Sequence, residues 1–194
     1  MQSLQEAAIR VIARKGIAAA TMQDIAEEAG VAKGTIYLYF RDRDELVDKT
    51  FEATLSQLHS RIDEVLERPE ATLEQRLRES LMRLFEFFRE NAQFFRLYIG
   101  QRFPEGSEEQ QRRHQRHCDQ YRQRMVKLAG VMQEAMDRGE IRRVDPFRLA
   151  TFFVEGTNAI VIERVMSEAP PPESDVELIM STFFEGVRVK RSEV

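Results

Sequence analysis

The sequence predicts an all-α protein of about nine helices. Three observations carry that expectation. Apolar residues recur at helical spacing along nearly all of the 194-residue chain, and strand-like alternation is almost absent. Side chains that cap helix N-termini stand where the apolar periods begin. Glycine or proline stands where they stop.

Taken in order, the first helix, over 3–15, opens on Ser3-x-x-Glu6 and ends at Gly16. The second, over 22–29, follows the capping box Thr21-x-x-Asp24 and stops at Gly30. A third short helix is expected over 33–39. A fourth, over 43–67, starts at Asp42-x-x-Glu45, and a fifth, over 72–90, at Thr72-x-x-Gln75. Helices over 92–102 and 107–138 follow, the latter opened by Ser107-x-x-Gln110 and closed by Gly139. Asp145-Pro146 begins the eighth, over 146–168, with a capping carboxylate and a proline at the first helical position. Pro170-Pro171-Pro172 ends it, and Ser174-x-x-Glu177 opens the ninth, over 174–190. No internal repeat or low-complexity tract interrupts this series.

Composition narrows the class. The chain is 42% hydrophobic and 32% charged with 6 Pro and 9 Gly, the mix of a helix-rich globular protein. One cysteine, Cys118, excludes an intramolecular disulfide framework and suits a reducing compartment. No apolar run reaches bilayer length and no signal pattern opens the chain, so a cytoplasmic location with no membrane partner is expected. Net charge is −4, which by itself predicts no nucleic-acid binding. The sequence has no Gly-x-Ser-x-Gly elbow and no phosphate-cradling glycine loop, so no enzyme and no cofactor are implied. His114, His117 and Cys118 stand among Gln and Arg without a partner carboxylate, so they read as a solvated face; no metal is implied.

Local geometry in residues 21–40, TMQDIAEEAGVAKGTIYLYF, points elsewhere. Thr21 caps a short helix whose Ile25, Ala26 and Ala29 face inward, and Ala29-Gly30-Val31 turns the chain. Small Ala26 allows close approach, and Val31 and Ile36 fill the gap beneath. The second short helix carries Lys33, Thr35, Tyr37 and Tyr39, residue types that bind phosphates and base edges. A helix this short in that setting suits a DNA major groove.

The run Gly16-Ile17, Thr21-Met22-x-x-Ile25-Ala26-x-x-Ala29-Gly30-Val31, Gly34-Thr35-Ile36-Tyr37-x-Tyr39-Phe40 and Arg43-Asp44-Glu45-Leu46 closely resembles the TetR family of bacterial transcriptional repressors. The resemblance is dense over residues 4–49; beyond that only helix number and length agree. It departs at Ala32, where the family usually has a capping Ser, and the chain shows no basic N-terminal arm. Through residue 49 the charges nearly balance, with Arg10, Arg14, Lys15, Lys33, Arg41, Arg43 and Lys49 against eight carboxylates.

The resemblance implies a helix-turn-helix DNA-binding domain over 1–47 and a ligand-binding and dimerisation domain over 48–194. Thr21, Thr35, Tyr39, Arg43 and Lys49 fall at phosphate-contacting positions. Lys33, Gly34 and Tyr37 fall at base edges, and Gln23 reaches the same groove. Thr21 also reads as a plain helix cap, and Tyr37 as packing on the head's core.

Helices 146–168 and 174–190 are apolar around more than one face, which implies a partner. The family pairs its last two helices with those of a second copy, here through Phe153, Ile160, Met180, Phe183 and Val187. Phe85, Phe87, Phe88, Phe94, Phe95, Tyr98 and Phe103 crowd the middle helices, with Tyr121, Met125 and Leu128 across from them. The family places an effector pocket here, with Phe85, Phe88, Tyr98, Tyr121, Met125 and Phe152 as its expected lining. Glu155 and Asn158 interrupt an apolar helix and read either as the pocket's polar contacts or as structural hydrogen-bonding groups. The expected function is a ligand-responsive repressor that binds a pseudo-palindromic operator as a homodimer. Its partners would be double-stranded operator DNA, a second copy of the chain and a small, largely apolar effector.

Overall fold

A computed structural model describes residues 2–99, 108–167 and 173–187, without the side chains at 2, 97–99, 108–114, 116 and 117. The described residues form nine α-helices and no strand. They are α1 (Gln2–Lys15), α2 (Met22–Glu28), α3 (Lys33–Tyr37), α4 (Arg43–Leu66), α5 (Leu73–Glu90), α6 (Ala92–Ile99), α7 (Glu108–Asp137), α8 (Pro146–Ser167) and α9 (Glu173–Val187).

The local signals set most boundaries. Thr21 Oγ1 accepts from the Asp24 amide at 3.1 Å, and the Asp24 carboxylate accepts in return from the Thr21 amide. Thr72 and Gln75 make the same reciprocal pair. Asp42 accepts from the Glu45 amide, while Glu45 reaches one residue further back, to the Arg41 amide. Asp145 accepts from the Arg148 amide ahead of Pro146. Gly16, Gly30 and Gly139 end their helices at positive φ. Two expected starts differ: α1 and α9 begin before Ser3 and Ser174, so those serines lie inside the first turn rather than capping it. Ser107 and the proline run lie outside the described residues.

The described residues fall into two compact units: those within Met1–Ser60 and Glu90–Gln101, and those within Arg61–Arg89 and Arg102–Val194. In the first, α1 packs on α2 and α6, and α2 on α3. Its core holds Ile12, Ile25, Ile36, Phe40 and Leu46, all fully buried. Phe51 of α4 closes on Phe94 and Phe95 of α6, with ring centroids 6.3 and 5.4 Å away. These two rings, expected from sequence among the middle-helix aromatics, therefore belong to the core of the first unit. Ion pairs lock α1 to α2: Glu28 holds Arg10 and Arg14, and Asp24 holds Lys15 at 2.7 Å.

In the second unit α7 packs on α8, and α8 on α9. The buried Arg76 guanidinium donates to the carbonyls of Leu66 and Ala71, at 3.0 and 3.1 Å. It thereby satisfies one carbonyl left open where α4 ends and another in the turn before α5. Lys127 of α7 bridges Asp63 and Glu67 at the end of α4. Arg164 clasps the buried Asp175 through two hydrogen bonds, of 2.7 and 2.9 Å, joining α8 to α9. No helix among the described residues is long and apolar enough to cross a membrane.

Candidate functional site

The first unit builds its candidate interface around α3. Gly30, at φ 69°, adopts the left-handed conformation that a side chain would strain. The Gly30 amide donates to the Glu27 carbonyl and the Val31 amide to the Ala26 carbonyl, closing α2. The chain can then enter α3 two residues later. Ala32, at the N-cap, offers no side-chain oxygen, so α3 starts without the bond that a serine would supply.

Ile36 and Phe40 face the core, which turns Lys33, Gly34, Tyr37 and Leu38 outward. Tyr37 and Tyr39 are 47% and 48% exposed. Tyr37 is therefore not part of the head's core. The side chains of Lys33, Tyr37 and Tyr39 make no hydrogen bond or ion pair with other described residues, so their side-chain donors are available. Thr35 is half-buried beside them.

The remaining expected contacts are already engaged within the chain. Thr21 caps α2, and the Gln23 carboxamide donates to Glu27 at 2.7 Å. Arg43 donates to the Ala18 carbonyl and pairs with Asp44. Lys49 pairs with Glu45 at 2.9 Å, and its ammonium lies 5.7 Å from the centre of the Phe40 ring. Arg41 pairs with Asp42. Lys33 is thus the one basic side chain of residues 1–49 without a carboxylate partner among the described residues. The acids are correspondingly perturbed. Bonds from Lys15 and Thr21 hold Asp24 down at about 2, and those from Arg10 and Arg14 lower Glu28.

Sequence reasoning passed over Leu38, which is 81% exposed on the same face. A leucine in a helical stretch reads first as core. The signal against that was present: Ile36 and Phe40 already form the inward stripe, and Leu38 lies two residues from each, on the opposite side.

In the second unit the expected effector set divides. Phe85 and Met125 are buried, and Phe88 is half-buried with its ring edge-on to Phe87, 5.8 Å between centroids. Tyr121 donates its hydroxyl to Glu155 at 2.7 Å, tying α7 to α8. Burial, and then that bond, push the Tyr121 phenol up to about 12. Glu155 is exposed and Asn158 half-buried. Tyr98 stands on α6 and its side chain lies outside the described residues, as does Phe103.

Phe152 is 68% exposed and lines a groove of about 310 Å³ between α8 and α9, together with Phe153, Gly156, Ile160, Leu178 and Phe183. Of the expected dimer residues, Phe153, Met180, Phe183 and Val187 are buried within their own chain, and Phe153 packs edge-on against Phe183 at 4.9 Å. Ile160 is half-buried. The large apolar side chains that α8 and α9 leave exposed are Phe147, Phe152, Ile162, Met166 and Leu178.

A glycine-turned pair of short helices, with a polar and aromatic outer face on the second, defines the helix-turn-helix class of DNA-binding proteins. Comparison with known proteins narrows the class. The family described as "Bacterial regulatory proteins, tetR family" matches residues 4–50. The uncharacterised HTH-type transcriptional regulator YfiR of Bacillus subtilis is 30% identical over 163 residues, covering 80% of this chain and 75% of its own length. The fatty acid metabolism regulator protein of Bacillus subtilis is 36% identical over 72 residues, 37% of each chain. The solved structure of the transcriptional regulator FadR from Bacillus subtilis, in complex with stearoyl-CoA, shares the fold with a TM-score of 0.77. It is 23% identical, over 95% of this chain and 98% of that one. The match spans about half or less of the first curated relatives, 51% and 37% of their lengths. The chain belongs to the TetR family of bacterial transcriptional regulators.

Proposed function

We propose that the protein is a repressor that binds a pseudo-palindromic operator as a homodimer and leaves it when a small, largely apolar effector binds. The observation that carries the DNA half is the outward face of α3, where Lys33 and Tyr37 keep their donors unengaged while Ile36 and Phe40 anchor the helix from behind. In this reading residues 1–47 are the DNA-binding domain and 48–194 the ligand-binding and dimerisation domain, with α4 continuous across the division. Lys33, Gly34 and Tyr37 meet base edges, with Gln23 beside them. Thr21, Thr35, Tyr39, Arg43 and Lys49 meet phosphates. Arg43 and Lys49 exchange their present carboxylate partners for phosphate oxygens, which makes their contribution modest and salt-dependent.

The open apolar surface around Phe152 and Leu178 supports a two-fold dimer through α8 and α9, which would set two recognition helices about one DNA turn apart. Phe85, Phe88, Tyr121 and Met125 suit an apolar effector, and a relative of the same fold carries an acyl thioester. Glu155, engaged by the Tyr121 hydroxyl, accommodates a neutral ligand without an unpaired buried charge. The effector acts by favouring one spacing of the two heads, and DNA reciprocally weakens effector binding. The protein works by binding, not catalysis.

A mobility-shift titration with the DNA upstream of the protein's own gene tests the reading. Wild type forms a discrete complex there and not with scrambled duplex. Tyr39→Ala weakens all duplexes alike, while Lys33→Ala also alters base preference. Equal affinity for operator and scrambled DNA would refute sequence-specific repression.

A further inference from the structure

We propose that Leu38 reads a thymine methyl group in each operator half-site and is a specificity-determining residue of the recognition face. The inference rests on the operator-binding reading above and adds a base preference to it.

The outward face of α3 and its C-cap consists of Lys33, Gly34, Tyr37 and Leu38, two neighbouring stripes at i, i+4 spacing. One stripe pairs Lys33 with Tyr37. The other pairs Gly34 with Leu38, and the glycine contributes no side chain to it. Gly34 is bare, and nothing lies within 4 Å of where a Cβ would stand, so Leu38 is the one side chain of this stripe. At 81% exposure it projects beyond the surface rather than sealing it.

A lone exposed leucine needs no explanation elsewhere on a protein. Here it stands between two tyrosines on the face turned to DNA, and its isobutyl group can neither donate nor accept a hydrogen bond. Phosphates and the nitrogen and oxygen edges of bases gain nothing from it. The major groove offers one apolar group on a base edge, the C5-methyl of thymine. Burying that methyl against Leu38 removes both from water. Lys33, on the adjacent stripe, can donate to guanine O6 and N7, so the face combines one polar reader with one apolar reader.

The test uses the full chain and the duplex it enriches from a randomised pool. That duplex is resynthesised with deoxyuridine replacing each thymine in turn, which deletes the methyl and leaves every hydrogen-bonding group in place. For wild type, one position per half-site weakens binding by about fourfold, the loss of one buried methyl. Leu38→Ala binds the all-thymine duplex more weakly and is indifferent to uracil at that position. Its thermal midpoint is unchanged because the side chain is exposed. The proposal is overturned if wild type tolerates uracil at every position, or if Leu38→Ala keeps the same sensitivity. It also fails if the enriched half-site has no thymine. A chain that enriches no duplex overturns the operator reading itself, a distinguishable result.

Discussion

Two glutamate substitutions on the same helix separate the fold of the second unit from its assembly. Phe183 is buried in its own chain, packed against Phe153 and Phe184, whereas Leu178 is 56% exposed on the α8–α9 groove. Phe183→Glu places an unpaired carboxylate in the protomer core and removes an aromatic ring, so it destabilises the monomer by about 3–5 kcal/mol. Leu178→Glu leaves the protomer nearly untouched. If a two-fold axis buries the remaining 56% of Leu178, at about 2–2.5 kcal/mol for a whole leucine, each copy loses about 1.3 kcal/mol. Both copies together lose about 2.5 kcal/mol, roughly sixtyfold in dimer affinity, before the several-kcal/mol cost of desolvating each carboxylate is added. Sedimentation equilibrium over a dilution series, with thermal melting of the same samples, reads both quantities. Leu178→Glu is expected to run as a monomer with a folded protomer, and Phe183→Glu to melt early. A Leu178→Glu protein that remains dimeric at every dilution would remove the α8–α9 groove from the interface.

Three further outcomes follow from the structure. Arg76→Ala leaves the buried Leu66 carbonyl and the half-buried Ala71 carbonyl without their donor and opens a cavity, costing about 3 kcal/mol in denaturant unfolding; a cost below about 1 kcal/mol would refute the bracing role. Asp24 and Glu28 have depressed folded-state pKa values, so their α1–α2 clamps are in force above their ordinary values of 3.8 and 4.5. The Asp24 clamp weakens as pH falls toward about 2 and the Glu28 clamp as pH falls below the ordinary carboxylate range, so amide exchange in α1 and α2 should accelerate on acidification; unchanged protection would contradict it. Tyr121 carries a raised pKa, so its stabilising effect is complete below pH 10 and is lost as pH rises toward about 12. Glu155→Gln moves the tyrosinate titration back toward 10, and an unmoved titration would show that burial alone sets it.

Helix number, helix ends and the recognition turn were legible in the sequence because they depend on groups within a few residues of one another. Thr21 and Asp24, Thr72 and Gln75, and Asp145 ahead of Pro146 all close their bonds inside one turn. The inward stripe of α3 was legible for the same reason, in the spacing of Ile36 and Phe40, although Leu38 was passed over and Tyr37 was left open between base contact and core. Which elements meet was not, because periodicity says that a helix has an apolar face but leaves open what lies against it. Only the tertiary structure set Phe94 and Phe95 against Phe51, and turned Met180 and Phe183 into their own chain. It left Phe152 and Leu178 open in the groove. It also engaged every basic side chain of residues 1–49 except Lys33 with a carboxylate among the described residues. Several of those pairings link different helices, and their formation depends on the distance between elements that no local pattern encodes.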